Sequence, residues 1–409
     1  MPAELLPGFA AVGVYCSMYA FRKPFTMLDL DHLQYWGISY KVWLVSAQVM
    51  GYAFSKFLGI RLISELQPVN RYPFMMMLIG LAWTSLLLFA LVPPPYSILL
   101  MFINGLPLGL IWGVVFSYLE GRRLTDLLGS MLASSFIFSS GFVKSIGGNV
   151  LQSGVNPVWM PFITGGIFIL PFIFLLSMLN WMPPPDRQDR LQRSPRTPMD
   201  ARNRIGLLKK WGGLLWPLIL VYAFYTTLRD YRDNFSNEIF REMQITNLWW
   251  LTHSETILSL LLLLILGSFI WIKNHMRVFF YSHILMVIGF TALIVSSLGY
   301  TWGWINSLQW YVMAGFGVFA GYLPFNCVMS DRLVVLLGEK SNAGFIMYLL
   351  DAFGYAGTIG VLLLKEWVQM NFSHTGFFIH LVYLLGFLGI GIALFSMING
   401  MKNLKRDTE

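Results

Sequence analysis

The chain has 409 residues, of which 56% are hydrophobic and 12% are charged, and its formal net charge at pH 7 is +8. A soluble globular domain usually carries about 25% charged residues, so this composition excludes the ordinary soluble classes. Apolar runs of about 20 residues recur along the chain, which is the length that crosses about 30 Å of hydrocarbon. The sequence therefore predicts an all-α integral membrane protein.

Hydropathy and helix-breaking residues predict twelve transmembrane helices. The first six lie near 5–24, 41–61, 72–92, 96–118, 124–150 and 157–181, and the second six near 212–232, 248–272, 278–298, 308–330, 341–364 and 376–399. No basic stretch precedes the first helix and no small-residue cleavage site follows it, so we expect it to be retained. The one long polar stretch predicts a linker at 183–210 between bundles at 1–182 and 211–409.

Lysine and arginine residues are concentrated in alternate loops. If the amino terminus is cytoplasmic, the linker and the other inside loops hold most of them, and three outside loops hold none. This is the positive-inside distribution. It favours a multi-pass protein of the inner (cytoplasmic) membrane with both termini in the cytoplasm. It also attributes the basic charge to topology and to contact of the linker with anionic lipid, not to nucleic-acid binding.

The two halves of the sequence carry similar short motifs. The stretch "VYCSMYAFR" at 14–22 is matched by "VYAFYTTLR" at 221–229, and "LLG" at 127–129 is matched at 336–338, with offsets of 207 and 209 residues. Such matches in order predict two parallel six-helix repeats. Parallel repeats about an axis along the membrane normal are the architecture of the major facilitator fold, in which the substrate binds between the halves.

Ionisable residues inside predicted helices are functional candidates, because they cost several kcal/mol in lipid unless they are paired or face water. Six residues meet this criterion: Arg22, Lys56, Lys144, Arg229, Glu255 and Asp351. The repeat gives Arg22 and Arg229 equivalent positions in the first and seventh helices. Two guanidinium groups that approach from opposite sides suit a tetrahedral dianion, which each can bind in bidentate fashion. Alternatively, Arg22 extends to the membrane interface as an anchor.

Two opposed arginines would also link binding to movement. Without an anion they repel and resist closure of the halves, and with the anion bound they are neutralised. Lys56 would add positive field, while Lys23 either contributes to the site or anchors the helix end. We expect tyrosines of the two helices to line the cavity and donate hydrogen bonds: Tyr15, Tyr19, Tyr222 and Tyr225.

The remaining charged residues predict two ion pairs. In this fold the second and eleventh helices meet, as do the fifth and eighth. We therefore expect Lys56 to pair with Asp351 and Lys144 to pair with Glu255. These pairs are either static locks or contacts that break or become protonated during transport. In the fourth helix, Gly105, Gly109 and Gly113 recur every four residues and predict close packing of a neighbouring helix.

Several motifs resemble the organophosphate:inorganic phosphate antiporters of the major facilitator superfamily. The stretch "YAFRKPF" is similar to that family's R-K-x-F in the first helix, and "YAFSKFLG" is similar to its G-x-S-K-F in the second. The stretches "FINGLPLG" and "GFIMYLLDAFGYAG" are also similar. The resemblance implies roles in phosphate binding or its surrounding salt bridges for Arg22, Lys23, Lys56, Arg229 and Glu255. One departure is Phe138, which occupies the place of the family's substrate-binding histidine.

These observations predict a secondary active transporter for an anionic small metabolite, with a phosphorylated one favoured, that works by alternating access. A proton-coupled symporter of an organic carboxylate is one alternative, with Asp351 or Glu255 as the proton carrier. A membrane sensor that binds sugar phosphates without transport is another, with the linker as its interaction surface. No nucleophile, phosphate-loop or metal motif is present, so we expect no enzyme activity, cofactor or metal. The expected partners are a small anion and lipid, and the expected state is a monomer.

Overall fold

The computed structural model describes residues 2–30, 32–64, 67–119, 122, 125–183, 201–337, 343–367 and 372–406. Most of these residues are helical. Residues 184–200 of the predicted linker lie outside the described residues, so the linker's proposed contacts are untested. Residues 201–210, which were also assigned to the linker, belong to a long helix.

The described residues contain fourteen α-helices, two of them short. Their bounds are α1 Pro2–Tyr19, α2 Tyr40–Ser64, α3 Arg71–Leu91, α4 Ser97–Leu119, α5 Thr125–Gln152, α6 Met160–Trp181, α7 Ala201–Asn234, α8 Ser236–Glu242, α9 Trp249–Ser268, α10 His275–Thr301, α11 Ser307–Pro324, α12 Ser330–Leu337, α13 Ala343–Trp367 and α14 His374–Arg406. A π-helical turn, Phe325–Met329, joins α11 to α12. All twelve predicted helices are therefore present, with α11 and α12 forming the tenth.

Within the described part of the chain, nine helices are long and apolar enough to cross a membrane, and Leu5–Tyr19 is a shorter apolar helix. Large apolar side chains on these helices point outward, including Leu170, Phe174 and Leu264, each more than two-thirds exposed. An outward apolar surface of this extent suits lipid better than water. The chain is a multi-pass membrane protein.

Two helix ends differ from the prediction. Helix α1 ends at Tyr19, whose carbonyl accepts the N–H groups of Arg22 and Lys23, because Pro24 has no N–H with which to continue the helix. Helix α7 begins at Ala201, because the following Arg, Lys and Leu residues favour helix although they are too polar to appear as an apolar run. Arg22 and Lys23 therefore lie in a turn and not inside a helix.

A short hairpin follows this turn. Strands β1 Gln34–Tyr35 and β2 Ile38–Ser39 pair antiparallel, with Gln34 opposite Ser39. The two residues between them, Trp36 and Gly37, have φ angles of 56° and 76°. Positive φ at both central residues is the geometry of a type I′ turn, which matches the twist of a hairpin.

The described residues divide into two compact units. Unit 1 lies within Met1–Arg193, Asp233–Ser259 and Ile359–Asn371, and unit 2 lies within Ser194–Arg232, Leu260–Thr358 and Phe372–Glu409. The boundaries fall inside α7, α9 and α13, so parts of the second sequence half fold with the first. The sequence analysis divided the chain at the linker, into bundles at 1–182 and 211–409. That division was based on the two sequence halves and remains a prediction.

Glycines bring α2 and α4 into close contact in unit 1. A Cβ atom added to Gly105 would lie 2.2 Å from the carbonyl oxygen of Gln48, and one added to Gly109 would lie 1.9 Å from Ser55 Oγ. From the other side, a Cβ atom on Gly51 would lie 2.1 Å from the carbonyl oxygen of Phe102. These distances confirm the predicted packing role of Gly105 and Gly109, and they fix the register between the two helices.

We predict that Gly105→Ala lowers the thermal unfolding temperature of the protein in detergent. The new methyl group would force α2 away from α4, and overpacking of this kind costs about 1–3 kcal/mol. Gly80→Ala is the matched control, because Gly80 is also helical but has open space where its Cβ would be. An equal loss of stability in both variants would contradict the packing argument.

Candidate anion site and ion-pair cluster

The turn after α1 places Arg22 inside unit 1. Its side chain is largely buried. The guanidinium carbon lies 4.1 Å from the centroid of the Tyr52 ring and 5.7 Å from that of Tyr19. Cations at this distance from an aromatic face are stabilised by the ring quadrupole.

Lys56 lies one helical turn beyond Tyr52 on α2. Its ammonium nitrogen is 5.3 Å from the centroid of the same Tyr52 ring and 5.7 Å from that of Trp112 on α4. Two cations from different segments thus share one aromatic ring. Like charges held this close repel, and an anion placed beside the ring would be attracted to both. We call Arg22, Lys56, Tyr52 and Trp112 the Tyr52 site.

In unit 2, Arg229 lies beside a carboxylate of the adjacent residue. Its Nη2 and Nε atoms are 2.6 Å and 2.9 Å from Asp230 Oδ1, and its guanidinium carbon is 4.2 Å from the centroid of the Tyr322 ring. Asp230 Oδ2 accepts a hydrogen bond of 3.0 Å from Thr358. Arg229 and Asp230 together carry no net charge, so an anion that binds Arg229 must compete with Asp230.

The ring of Tyr322, which Arg229 contacts, belongs to a residue that is linked by hydrogen bonds to Asp351. Tyr222 donates to Asp351 Oδ1 over 2.6 Å, and the hydroxyl oxygens of Tyr222 and Tyr322 are 3.2 Å apart. Tyr322, whose ring lies under Arg229, was not identified from the sequence. The repeat could have drawn attention to it, because Tyr322 follows Gly321, which lies 208 residues after Gly113 of α4, an offset close to those of the two repeated motifs.

The structure changes the role assigned to Tyr225. Its ring stacks on Phe290 at a centroid distance of 4.0 Å, and its hydroxyl donates to the carbonyl oxygen of Met286. Because the side chain is fully buried among α10 and α11 and its one proton is used, Tyr225 packs the core of unit 2 and does not line a cavity. Tyr15 and Tyr19 are buried edge to face at 5.4 Å, and their lining role stays a prediction.

Asp233 is a carboxylate of unit 1 with several partners, and the sequence analysis missed it. Its Oδ1 atom is 2.5 Å from Lys144 Nζ and also accepts from Ser140, and its Oδ2 atom binds Lys23. Lys23 donates in addition to Asn234 Oδ1 over 2.8 Å. One carboxylate thus holds two lysines, and we call Asp233, Lys23 and Lys144 the Asp233 cluster.

The predicted pair of Lys144 with Glu255 is therefore wrong: Lys144 binds Asp233. The cause is the direction of side chains on α5. Ser140 and Lys144 face the end of α7, whereas Gly141 and Ser145, one position further along, face α9.

Helices α5 and α9 do meet as predicted. A Cβ atom added to Gly141 would lie 2.8 Å from Glu255 Cγ, and Thr252 Oγ1 donates to Ser145 Oγ over 2.8 Å. Glu255 is buried at this contact. Its coupling role stays a prediction, as does the pairing of Lys56, in unit 1, with Asp351, in unit 2.

A second buried ion pair lies nearby in unit 1. Lys41, at the start of α2, binds Glu238 of α8 and donates to the carbonyl oxygen of Thr26 over 2.5 Å. Both side chains are almost completely buried. Sequence analysis passed over Lys41 because it begins a predicted helix, where a lysine is usually solvated. Within the described ranges, no group of three or more His, Cys, Asp or Glu residues could hold a metal ion.

Solved structures with a similar fold are transporters. A D-xylose–proton symporter aligns with a TM-score of 0.65 at 13% identity, covering 96% of each chain. The E. coli xylose transporter XylE, partially occluded and inward open, aligns with a TM-score of 0.63 at 14% identity, covering 96% of this chain and 95% of that one. At this identity the likeness defines the fold alone: an all-α membrane protein of the major facilitator fold.

The sequence profile of a family of unknown function, DUF5690, matches residues 24–402, so the chain belongs to that family. None of the curated proteins matches the sequence.

We predict that Asp233→Asn strongly destabilises the protein, because it leaves two buried lysines without their shared counter-charge. Removing one partner of a buried ion pair costs about 3–5 kcal/mol. The matched control is Asp29→Asn, which breaks the exposed pair of Asp29 with Arg241. An exposed pair contributes about 0–1 kcal/mol. Denaturant unfolding in detergent measures both, and equal effects would refute a structural role of the Asp233 cluster.

Proposed function

We propose that the protein is a secondary active transporter that carries an anionic small metabolite, with a phosphorylated one favoured, by alternating access. The observation that supports this most directly is the convergence of Arg22 and Lys56 on Tyr52 within a transporter fold. Two cations that lie against one ring in an apolar bundle repel each other. A bound dianion would remove the repulsion between them, and arginine suits a phosphate because its planar fork donates two parallel hydrogen bonds.

Arg229 of unit 2 would supply the second guanidinium, a pairing that rests on the sequence repeat. Its contact with Asp230 suggests an exchange of partners: the incoming anion takes the guanidinium, and Asp230 keeps its hydrogen bond from Thr358. Competition of this kind favours a dianion, because one negative charge would gain little over the carboxylate already present. Tyr222 would contribute through Tyr322 and Asp351.

The Asp233 cluster would act as a gate in this scheme. Asp233 lies in the last turn of α7, one helical turn after Arg229, so a shift of Arg229 toward an anion would move Asp233 relative to Lys23 and Lys144. Breaking these contacts would open one side of the transporter, and remaking them would close it. Glu255 packs against Gly141, which lies three residues before Lys144 on α5, so Glu255 would respond to the same movement. We place the protein in the inner membrane, with both termini cytoplasmic, as a monomer without enzyme activity.

A second candidate is proton-coupled symport of an organic carboxylate. The contact of Tyr222 with the buried carboxylate of Asp351 favours it, because a carboxyl group in apolar surroundings can exchange a proton during a transport cycle. One of the solved structures with this fold is itself described as a proton symporter. In this scheme Asp351 carries the proton and Arg22 binds the substrate carboxylate.

We predict that purified protein in liposomes loaded with inorganic phosphate exchanges it for external labelled phosphate. Arg22→Ala and Arg229→Ala should each reduce this exchange about tenfold or more, since a hydrogen bond to a charged group contributes about 1.5–3 kcal/mol. Arg241→Ala, which removes an exposed arginine of unit 1, is the control and should retain exchange. Absence of exchange by folded wild-type protein would refute phosphate antiport, and phosphate binding without exchange would favour the sensor.

The symport candidate makes a separate prediction. Uptake of the carboxylate should fall when a protonophore dissipates the pH gradient, and Asp351→Asn should abolish the pH-driven uptake while leaving exchange of internal for external substrate. Carboxylate uptake that a protonophore does not change in the wild type, or pH-driven uptake that Asp351→Asn retains, would exclude a proton-carrying role for Asp351.

A further inference from the structure

Helix α1 is followed by a turn whose backbone carbonyl groups lie beyond the helix. Tyr19 is the last helical residue, and its carbonyl oxygen accepts from the N–H groups of Arg22 and Lys23. The carbonyl groups of Phe21 and Arg22 belong to the turn and not to the hydrogen-bond ladder of α1. In an apolar environment such groups need donors from elsewhere, because each unsatisfied one costs several kcal/mol.

Two buried amide side chains supply those donors. Gln48 Nε2 on α2 donates to the carbonyl oxygen of Arg22 over 3.1 Å, and Asn104 Nδ2 on α4 donates to that of Phe21 over 3.2 Å. The amides are also joined to each other, since Gln48 Nε2 donates to Asn104 Oδ1 over 2.7 Å. Both hydrogens of the Gln48 amide are therefore used, one on the turn and one on Asn104.

Asn104 is itself held by a third helix. Its Nδ2 atom lies 3.0 Å from the carbonyl oxygen of Ala82 and 3.1 Å from Ser85 Oγ, both on α3. Asn104 is completely buried, and Gln48 and Ser85 are nearly so. Its neighbour Gly105 is one of the glycines that bring α4 against α2. The amide pair is thus a rigid part of unit 1, built from three helices.

The position of Gln48 connects this network to the Tyr52 site. Gln48, Tyr52 and Lys56 recur every four residues along α2 and so lie on one face of that helix. The first binds the backbone of Arg22, the second lies against its guanidinium group, and the third adds the second cation. The same helix face therefore fixes both ends of the Arg22 residue.

We propose that Gln48 and Asn104 are positioning residues for anion binding: they hold the turn after α1 so that Arg22 lies over Tyr52 beside Lys56. This inference rests on the proposed function, since it assigns Arg22 to the anion. A positioning role explains why buried amides lie in "SAQVMGY" and "FINGLPLG", which are otherwise mostly apolar helical stretches. A long, flexible side chain binds an anion well only when its backbone is held at a defined place.

The test measures binding of inorganic phosphate to the full-length protein in detergent, by calorimetric titration. Gln48→Met keeps the size of the side chain and removes both donors, and we expect phosphate affinity to fall about tenfold. Ser46→Ala is the control, because Ser46 is equally buried on the same helix but the described residues give its hydroxyl no hydrogen-bond partner. If Gln48→Met does not fold, Gln48→Asn replaces it, since the shorter amide cannot reach both partners.

Combination with Arg22→Ala separates positioning from a general structural role. If Gln48 acts through Arg22, adding Gln48→Met to Arg22→Ala should produce little further loss of affinity. Independent losses that multiply, or unchanged affinity in Gln48→Met, would overturn the proposal.

Hydrogen exchange of residues 16–24 in the absence of phosphate gives a reading that does not depend on the proposed function. Faster exchange in Gln48→Met than in wild type and Ser46→Ala would support the inference that Gln48 stabilises the turn. Unchanged exchange would refute it. If wild type binds no phosphate but exchange is faster in Gln48→Met, the proposed substrate class fails while the structural half of the inference stands.

Discussion

A positive charge buried in an apolar bundle needs a counter-charge, and this requirement governs the placement of the charged residues described above. Asp233 forms ion pairs with Lys23 and Lys144, Glu238 forms one with Lys41, and Asp230 forms one with Arg229. At the Tyr52 site, Arg22 and Lys56 lie against the same aromatic ring. A ring face stabilises a cation by about 0.5–2 kcal/mol. An anion placed beside this ring would be attracted to both cations.

Helix α7 joins the two kinds of site. It carries Tyr222, Arg229 and Asp233 at spacings of seven and four residues, so the three lie along one face of the helix. The first belongs to the tyrosine chain that ends at Asp351, the second lies over Tyr322, and the third binds two lysines of unit 1. In the proposed transport cycle, an anion at Arg229 would bind one helical turn from Asp233. A rigid α7 would then pass this binding event to the ion pairs at its end.

The sequence predicted the helices well and their contacts poorly, for a physical reason. Hydropathy reports the transfer of a segment into lipid, and all twelve helices were found that way. It does not report where a helix unwinds inside the bundle, so α1 was extended past Tyr19 and the buried carbonyls of the turn were not anticipated. Charge pairing depends on rotation about each helix axis, and one residue of rotation is about 100°. That is why Lys144 was assigned to Glu255 although its side chain faces Asp233.

The residues that were missed share a property: each looks unremarkable beside its neighbours in the chain. Gln48 and Asn104 are neutral, Lys41 begins a helix, and Asp233 follows Asp230 and Arg232 in a charged stretch that resembles a solvated helix end. Their importance comes from burial, which turns a neutral amide into an obligatory donor and a carboxylate into a counter-charge for two buried lysines. Position in the fold, and not residue type, therefore decides which polar groups need buried partners here.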